Sequence, residues 1–220
     1  MIRIGARIGP EWLDRSDDLD FLHSLGVECV DVEFGVFPGF RESGGVPDRS
    51  AVAGVVELLG GHGLSIERAN YSKTEIAPHY LGWSGAARVV DNVCRAAELC
   101  SEFEIPVMGI QCFDATVVLG RDVGKHSWSR GRGGYRYLHI DVESELADSA
   151  PPPGTPTRDE LWSRILNLFG AVLPVAESAG VRVATHGSDP PIAVAAGVPQ
   201  MLTSFAEFDR LFAEAPSPNN

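Results

Sequence analysis

A histidine stands where a short apolar segment of this 220-residue sequence changes into a proline-rich loop. His186 ends the run VRVATH and is followed by GSDPP, whose two prolines stiffen the local backbone. A neutral imidazole can bind a divalent metal or transfer protons, so His186 is the first candidate for chemistry. A lone histidine is more often structural, so the residues alone also allow a hydrogen-bonded histidine at the rim of a pocket.

Two carboxylates, Glu33 and Glu67, fall in apolar segments with the composition of strands. A carboxylate in such a place costs free energy unless a cation or a metal accompanies it. Arg68 is the expected partner of Glu67, either as a structural ion pair or as part of a substrate clamp. Glu33 can also simply cap the end of a strand, and neither carboxylate identifies a reaction.

Cationic side chains occur at the end of the first apolar segment and in an Arg-rich and Gly-rich stretch at 130–136. Arg7, Arg130 and Arg132 are therefore candidates for neutralising an anionic substrate. The overlapping segment 125–134 combines cations, an aromatic side chain and glycines, which is the composition of a lid that closes over such a substrate and also of an ordinary solvated surface loop.

Short β-rich segments alternate with longer helical ones, which is typical of parallel strands joined by crossover helices. The loops after such strands converge on one face, so the polar residues at the strand ends are expected to meet there. The predicted strands span 2–6, 29–34, 64–69, 106–113 and 181–186, and the predicted helices begin near 17, 48, 83, 157 and 204.

The segment 114–157 is predicted to be largely irregular, and the helix after it begins with a capping box at Thr157 and Glu160. The five predicted strands and five predicted helices indicate an α/β protein of the (β/α) TIM-barrel type. The barrel is expected to be incomplete, with about five strand-helix units. We expect one partial barrel domain over 1–220. An open doubly wound sheet is the alternative, but the sequence has neither GxGxxG after the first strand nor a GxxxxGK[ST] motif.

The formal net charge of −12 disfavours a nucleic-acid partner, because phosphate binding relies on Lys and Arg. A small-molecule substrate is more consistent with this balance. The four cysteines lack CxxC spacing and are expected to be free thiols. Without a long apolar segment near the start or a run of about 18 apolar residues, we expect a cytoplasmic protein without membrane contact.

Four stretches carry a resemblance to the mannonate dehydratase family, in matching order along nearly the whole chain. These are ARIGP, IPVMGIQCF followed by RGRGGY, VRVATHGSDPP, and the last segment through FAEFDRLFAEAPSPNN. The most specific is THGSDPP, which is similar to the family's HPDDPP loop. Gly187 and Ser188 replace Pro and Asp, while Asp189, Pro190 and Pro191 are retained.

The resemblance implies a xylose isomerase-like barrel that dehydrates D-mannonate to 2-keto-3-deoxy-D-gluconate with Mn²⁺ or Fe²⁺. His186 matches a metal ligand of that family. The family's other ligands, a cysteine, a histidine and an aspartate, lie on later strands, so we expect a truncated N-terminal part of the barrel. Cys112 lies on the wrong strand to be that cysteine.

The leading hypothesis is therefore a metal-dependent hydro-lyase acting on a sugar acid, with doubtful activity in this chain alone. A xylose isomerase-like sugar isomerase or epimerase using Glu33 or Glu67 as a base is a second hypothesis. A truncated, non-catalytic member or binding protein is a third. An unclosed sheet leaves the edge of the fifth strand unpaired, so we also expect a homo-oligomer.

Overall fold

The computed structural model of the chain describes residues 3–121, 123, 125–143 and 150–220. Residue 2, predicted to start the first strand, lies outside this range. The strands are β1 (Gly5–Arg7), β2 (Cys29–Glu33), β3 (Ser65–Tyr71), β4 (Val107–Gln111), β5 (Lys125–Arg130), β6 (Arg136–Asp141), β7 (Arg182–His186), β8 (Val194–Ala195) and β9 (Val198–Pro199).

Five of these strands form one parallel sheet in the order β1-β2-β3-β4-β7, and two small antiparallel pairs, β5-β6 and β8-β9, lie outside it. Each strand of the main sheet lies beside the one before it, without a reversal of direction. A doubly wound sheet reverses its strand order, whereas a barrel wall does not. The prediction of five barrel-type units is confirmed, and the sheet is not closed within the described residues.

Helices connect the strands and cover one face of the sheet. They are α1 (Ser16–Ser24), α2 (Arg49–Gly61), α3 (Lys73–Leu81), α4 (Ala86–Glu102), α5 (Thr116–Leu119), α6 (Arg158–Ala179) and α7 (Phe205–Glu214). The sequence predicted neither α3, whose apolar periodicity is weak and interrupted by Pro78, nor α5, which is only one turn long.

Helix α6 has the predicted capping box. The backbone N–H of Thr157 donates to the Glu160 carboxylate at 2.7 Å, and the Glu160 N–H donates back to the Thr157 hydroxyl at 3.3 Å. Gly180 ends the helix in the left-handed conformation, with φ +69°. Helix α6 packs against α4, and its buried stripe comprises Leu161, Ile165, Leu168, Phe169, Val172 and Ala176.

The prediction of an irregular segment over 114–157 is wrong for its central part. Strands β5 and β6 form a hairpin with six consecutive antiparallel pairs, from Lys125 opposite Asp141 to Arg130 opposite Arg136. The signal was weak because β5 has no β-branched residue, and two serines flank Trp128 in it.

The two faces of the main sheet differ in polarity. Val30, Val32 and Ala69 are fully buried beneath the helices, whereas Asp31 and Arg68 alternate with them and point to the opposite face. That polar face corresponds to the inside of a barrel. The side chains that do chemistry in this architecture therefore lie on it or at its strand ends.

Asp31 organises the polar face. One carboxylate oxygen accepts from Nε of Arg68 at 2.6 Å, and the other accepts from the Asn70 amide at 2.7 Å, which also donates to the Val32 carbonyl at 2.8 Å. The Asn70 side chain lies across Gly109, where an added Cβ would be 1.8 Å from its Oδ1. The neighbouring strand therefore needs a glycine at this position.

A bulge opposite Val30 and Asp31 changes the expected role of Glu67. The register passes from Val30–Ile66 to Asp31–Arg68, so Glu67 is left out of the pairing. Its carboxylate pairs with Arg3, while Arg68 pairs with Asp31. The predicted Glu67–Arg68 pair is wrong because each of the two side chains pairs with a residue of another strand or segment instead.

The outer edge of β7 is partly satisfied by the last residues of the chain. The N–H of Val183 donates to the Asn219 carbonyl at 2.6 Å, and the Asn219 amide donates to the Val181 carbonyl at 2.8 Å. The expectation of a wholly unpaired edge at the fifth strand is therefore wrong. None of the described helices is both long and apolar enough to cross a membrane, and all four cysteines are free thiols.

The contact between Asn70 and Gly109 generates the first prediction. Gly109→Ala forces Asn70 away from Asp31 and is expected to lower the free energy of unfolding by about 1 to 3 kcal/mol in urea titrations. Gly54→Ala is the matched control, because this exposed α2 glycine has no atom within 4 Å of an added Cβ. It should be neutral or stabilising by up to about 1 kcal/mol.

An Asn70→Ala background isolates the cause of that loss. Removing the amide removes the clash, so Gly109→Ala should cost measurably less there than in the parent. Equal costs in both backgrounds would contradict the assigned contact.

His79 generates a pH prediction. Its Nε2 lies 2.8 Å from the Arg164 carbonyl between α3 and α6, and burial lowers the imidazole pKa from its ordinary value of 6.5. The unfolded state therefore takes up a proton at a higher pH than the folded state does. As a result, the free energy of unfolding falls as the pH drops below about 6.5. Urea titrations between about pH 7.5 and 5 should show this loss, reduced in His79→Gln. Replacement of the exposed His139 by Gln is the control, and this variant should lose as much stability with falling pH as the parent does.

Candidate functional site

A cavity of about 230 Å³ opens at the carboxyl ends of the parallel strands. In parallel α/β folds this is the end at which binding sites form. Each of the five strands contributes at least one polar side chain to the lining: Arg7 from β1, Glu33 from β2, Arg68 and Asn70 from β3, Gln111 from β4, and Thr185 and His186 from β7. The predicted convergence of strand ends is therefore observed.

The His186 ring is held by its own loop. Nδ1 lies 2.6 Å from the Gly187 carbonyl, which can only accept a hydrogen bond, so Nδ1 carries the proton and donates it. In the neutral imidazole this leaves the Nε2 lone pair free to take a proton or bind a cation. The side chain is exposed at the cavity rim, so a ligand can approach this nitrogen.

The loop after β7 is fixed by two small residues. At Gly187 an added Cβ would lie 2.1 Å from the Leu202 carbonyl oxygen, so no larger residue fits this conformation. The buried Ser188 hydroxyl donates to the Phe113 carbonyl and accepts from the Met201 N–H at 3.0 Å. Gly187 and Ser188, the two departures from HPDDPP, thus suit the local packing. The hydrogen bond of Ser188 also joins the His186 loop to the loop after β4.

Arg7 and Glu33 form an ion pair at the opposite wall. Nη2 of Arg7 is 2.6 Å from the Glu33 carboxylate, and Nη1 is 3.9 Å from Asp31. Both partners are exposed, at 59% for Arg7 and 50% for Glu33. Exposed pairs contribute little to stability, so the carboxylate of a ligand can replace Glu33 at small cost. Arg7 is the cation of the cavity best placed for an anionic substrate.

Sequence reasoning missed Lys73, which ties two of the strand-end loops together. Its Nζ is 3.1 Å from the buried Asp114 carboxylate, and its backbone N–H donates to the Gln111 side chain at 3.0 Å. Asp114 also accepts from the Thr116 N–H at 2.7 Å at the start of α5. Lys73 was missed because the sequence did not predict α3, of which Lys73 is the first residue.

Arg130 and Arg132 lie at the turn of the β5-β6 hairpin and are not among the residues that line the cavity. Their assignment to the substrate stays a prediction. Burial raises the pKa of the Cys112 thiol to about 12, so this cysteine is neutral and unsuited to a metal. Among the described residues, no three His, Cys, Asp or Glu side chains are grouped so that they could hold a metal ion.

Comparison with known proteins points to one family. Residues 156–220, which include α6, β7 and the His186 loop, match the model of the D-mannonate dehydratase (UxuA) family. Mannonate dehydratase of Shouchella clausii is 40% identical over 83 residues, covering 38% of this chain and 21% of that protein. The curated relatives are thus matched over about a fifth of their length.

Solved structures extend the likeness to the whole fold. Mannonate dehydratase from Streptococcus suis serotype 2 superposes with a TM-score of 0.77 at 18% identity, covering all of this chain and 61% of that one. A putative xylose isomerase from Rhodospirillum rubrum gives 0.58 at 14% identity, covering 98% and 62%. The family-model match, the curated relatives and the shared fold together confirm the resemblance of this chain to the mannonate dehydratase family, to part of whose length it corresponds.

Proposed function

We propose that this chain forms the sugar-acid-binding wall of a hydro-lyase that dehydrates D-mannonate to 2-keto-3-deoxy-D-gluconate. The observation that carries the proposal is the position of His186. It lies in the segment that matches the family model and shares a strand-end cavity with Arg7.

Arg7 and His186 have complementary roles in this proposal. Arg7 exchanges Glu33 for the substrate carboxylate and so fixes the carbon next to it. Dehydration removes the proton from that carbon and the hydroxyl from the following one, which together leave as water, and the resulting enol becomes the keto acid. The Nε2 lone pair of His186, at the other side of the cavity, is free either to accept that proton or to bind the metal that the family motif implies.

The described residues do not make a metal site by themselves. His186 offers one nitrogen, and the carboxylates on the polar face are engaged, Glu33 with Arg7 and Asp31 with Arg68. A stable site generally needs three or four protein ligands. Ligation of Mn²⁺ or Fe²⁺ by His186 therefore stays a prediction from the family motif, and no step is assigned to it here.

Binding of D-mannonate tests the proposed role of Arg7. Calorimetric titration should show saturable binding by the parent, weakened about tenfold or more in Arg7→Ala, because a charge-assisted hydrogen bond is lost. Arg95→Ala removes an exposed cation on α4, away from the cavity, and should bind as the parent does. Equal affinities for the parent and Arg7→Ala would remove Arg7 from the site.

Product formation tests the proposed reaction. Incubation with D-mannonate and Mn²⁺ should yield the keto-deoxy acid with the parent and none with a folded His186→Ala variant. A folded parent that gives no product contradicts lyase activity for this chain, and a ketose or epimer product supports the isomerase hypothesis instead.

A further inference from the structure

The carboxamide of Gln111 lies beside His186 in the strand-end cavity. Gln111 ends β4 and His186 ends β7, and the two residues are direct partners in the parallel register. The pairing holds to the ends of both strands, because the Cys112 N–H donates to the His186 carbonyl at 2.8 Å. Neighbouring strands lie roughly 4.8 Å apart, so the two side chains can reach the same carbon atom of a ligand.

Gln111 points to the polar face of the sheet. Side chains two residues apart on a strand share a face, and Gly109 faces the Asn70 side chain there. Ile110, between the two, is only 1% exposed. Gln111 itself is half-buried and lines the cavity, so its carboxamide borders the space in which a ligand binds.

The backbone of Lys73 fixes the orientation of this carboxamide. The Lys73 N–H donates to Oε1 of Gln111 at 3.0 Å, and only the oxygen of an amide can accept such a bond. Nε2 of Gln111 therefore points away from Lys73, and its hydrogens have no acceptor among the described residues. Gln111 thus presents an unused hydrogen-bond donor of fixed direction next to His186.

We propose that Gln111 is a specificity-determining residue, whose Nε2 donates a hydrogen bond to the hydroxyl on the carbon next to the carboxylate of the sugar acid. The inference rests on the proposed function, in which Arg7 holds the carboxylate and His186 faces the carbon next to it. This carbon carries one hydrogen and one hydroxyl, and inversion of its configuration exchanges their positions.

The configuration at this carbon distinguishes D-mannonate from D-gluconate, its epimer there. The hydroxyl of D-mannonate meets the Gln111 carboxamide, whereas that of D-gluconate is directed away from it. A site that hydrogen-bonds a hydroxyl rejects an analogue that does not present it, because the donor of the site is left unpaired. Gln111 is therefore expected to favour D-mannonate over D-gluconate.

Calorimetric titrations with D-mannonate and with D-gluconate test this role through the ratio of the two affinities. The parent should bind D-mannonate about tenfold or more tightly than D-gluconate. Gln111→Leu has a similar size but no hydrogen-bonding group, so it should bind D-mannonate about tenfold more weakly and lose most of the preference. A general disturbance of the cavity would instead weaken the binding of both acids equally and leave the ratio unchanged.

Two substitutions of Lys73 form a matched pair. Lys73→Pro and Lys73→Ala both remove the ion pair with Asp114, but only Lys73→Pro removes the N–H that orients the carboxamide. Lys73 is the first residue of α3 and Ser72 before it is extended, at φ −80° and ψ 163°, so a proline is tolerated there. Lys73→Pro should therefore reduce the preference by more than Lys73→Ala does, with circular dichroism confirming that each variant is folded.

The outcomes separate this inference from the proposed function. A folded parent that binds neither acid overturns the proposed function and the role of Gln111 with it. A parent that binds both acids equally, or a Gln111→Leu variant that keeps the preference, overturns the role of Gln111 alone. Equal preferences in the two Lys73 variants would exclude the orienting role of the backbone N–H.

Discussion

The carboxylate of Asp31 is the centre on which the polar face of this sheet depends. It lies half-buried between two strands and accepts hydrogen bonds from Arg68 and Asn70, with Arg7 nearby. A carboxylate with fewer partners would be costly at such a place. The bulge that skips Glu67 brings Arg68 opposite Asp31, and the position of Asn70 in turn requires Gly109 on the next strand. The carboxylate of Asp31 on β2 thus links the side chains of Arg68 and Asn70 on β3 to the glycine at 109 on β4.

Much of the fold could be predicted from the sequence because its local signals agree with each other. The capping box at Thr157, the apolar stripe of α6 and the glycine at 180 all indicate the same helix. Where signals conflicted, prediction failed. Pro78 interrupts α3, and the bulge leaves Glu67 out of the strand pairing, which no residue pattern shows before the strands are paired.

The candidate site was predictable in part for a similar reason. Parallel strands bring their carboxyl ends together, so Arg7, Glu33 and His186 could be assigned to one cavity in advance. The positions of Arg130 and Arg132 depend on a hairpin whose direction no spacing reveals. Lys73 acts through a backbone N–H and a buried partner, and neither contact leaves a mark in the sequence.

The bonds made by Lys73 have a consequence for ligand entry. They join the loop after β3 to the loop after β4, and Ser188 joins the latter to the loop after β7. Three of the five walls of the cavity are thereby linked before any ligand arrives. A preorganised wall loses little conformational entropy on binding, so affinity is set mainly by the contacts that the ligand makes. The exposed Arg7–Glu33 pair, outside this linked unit, is the part that can adapt.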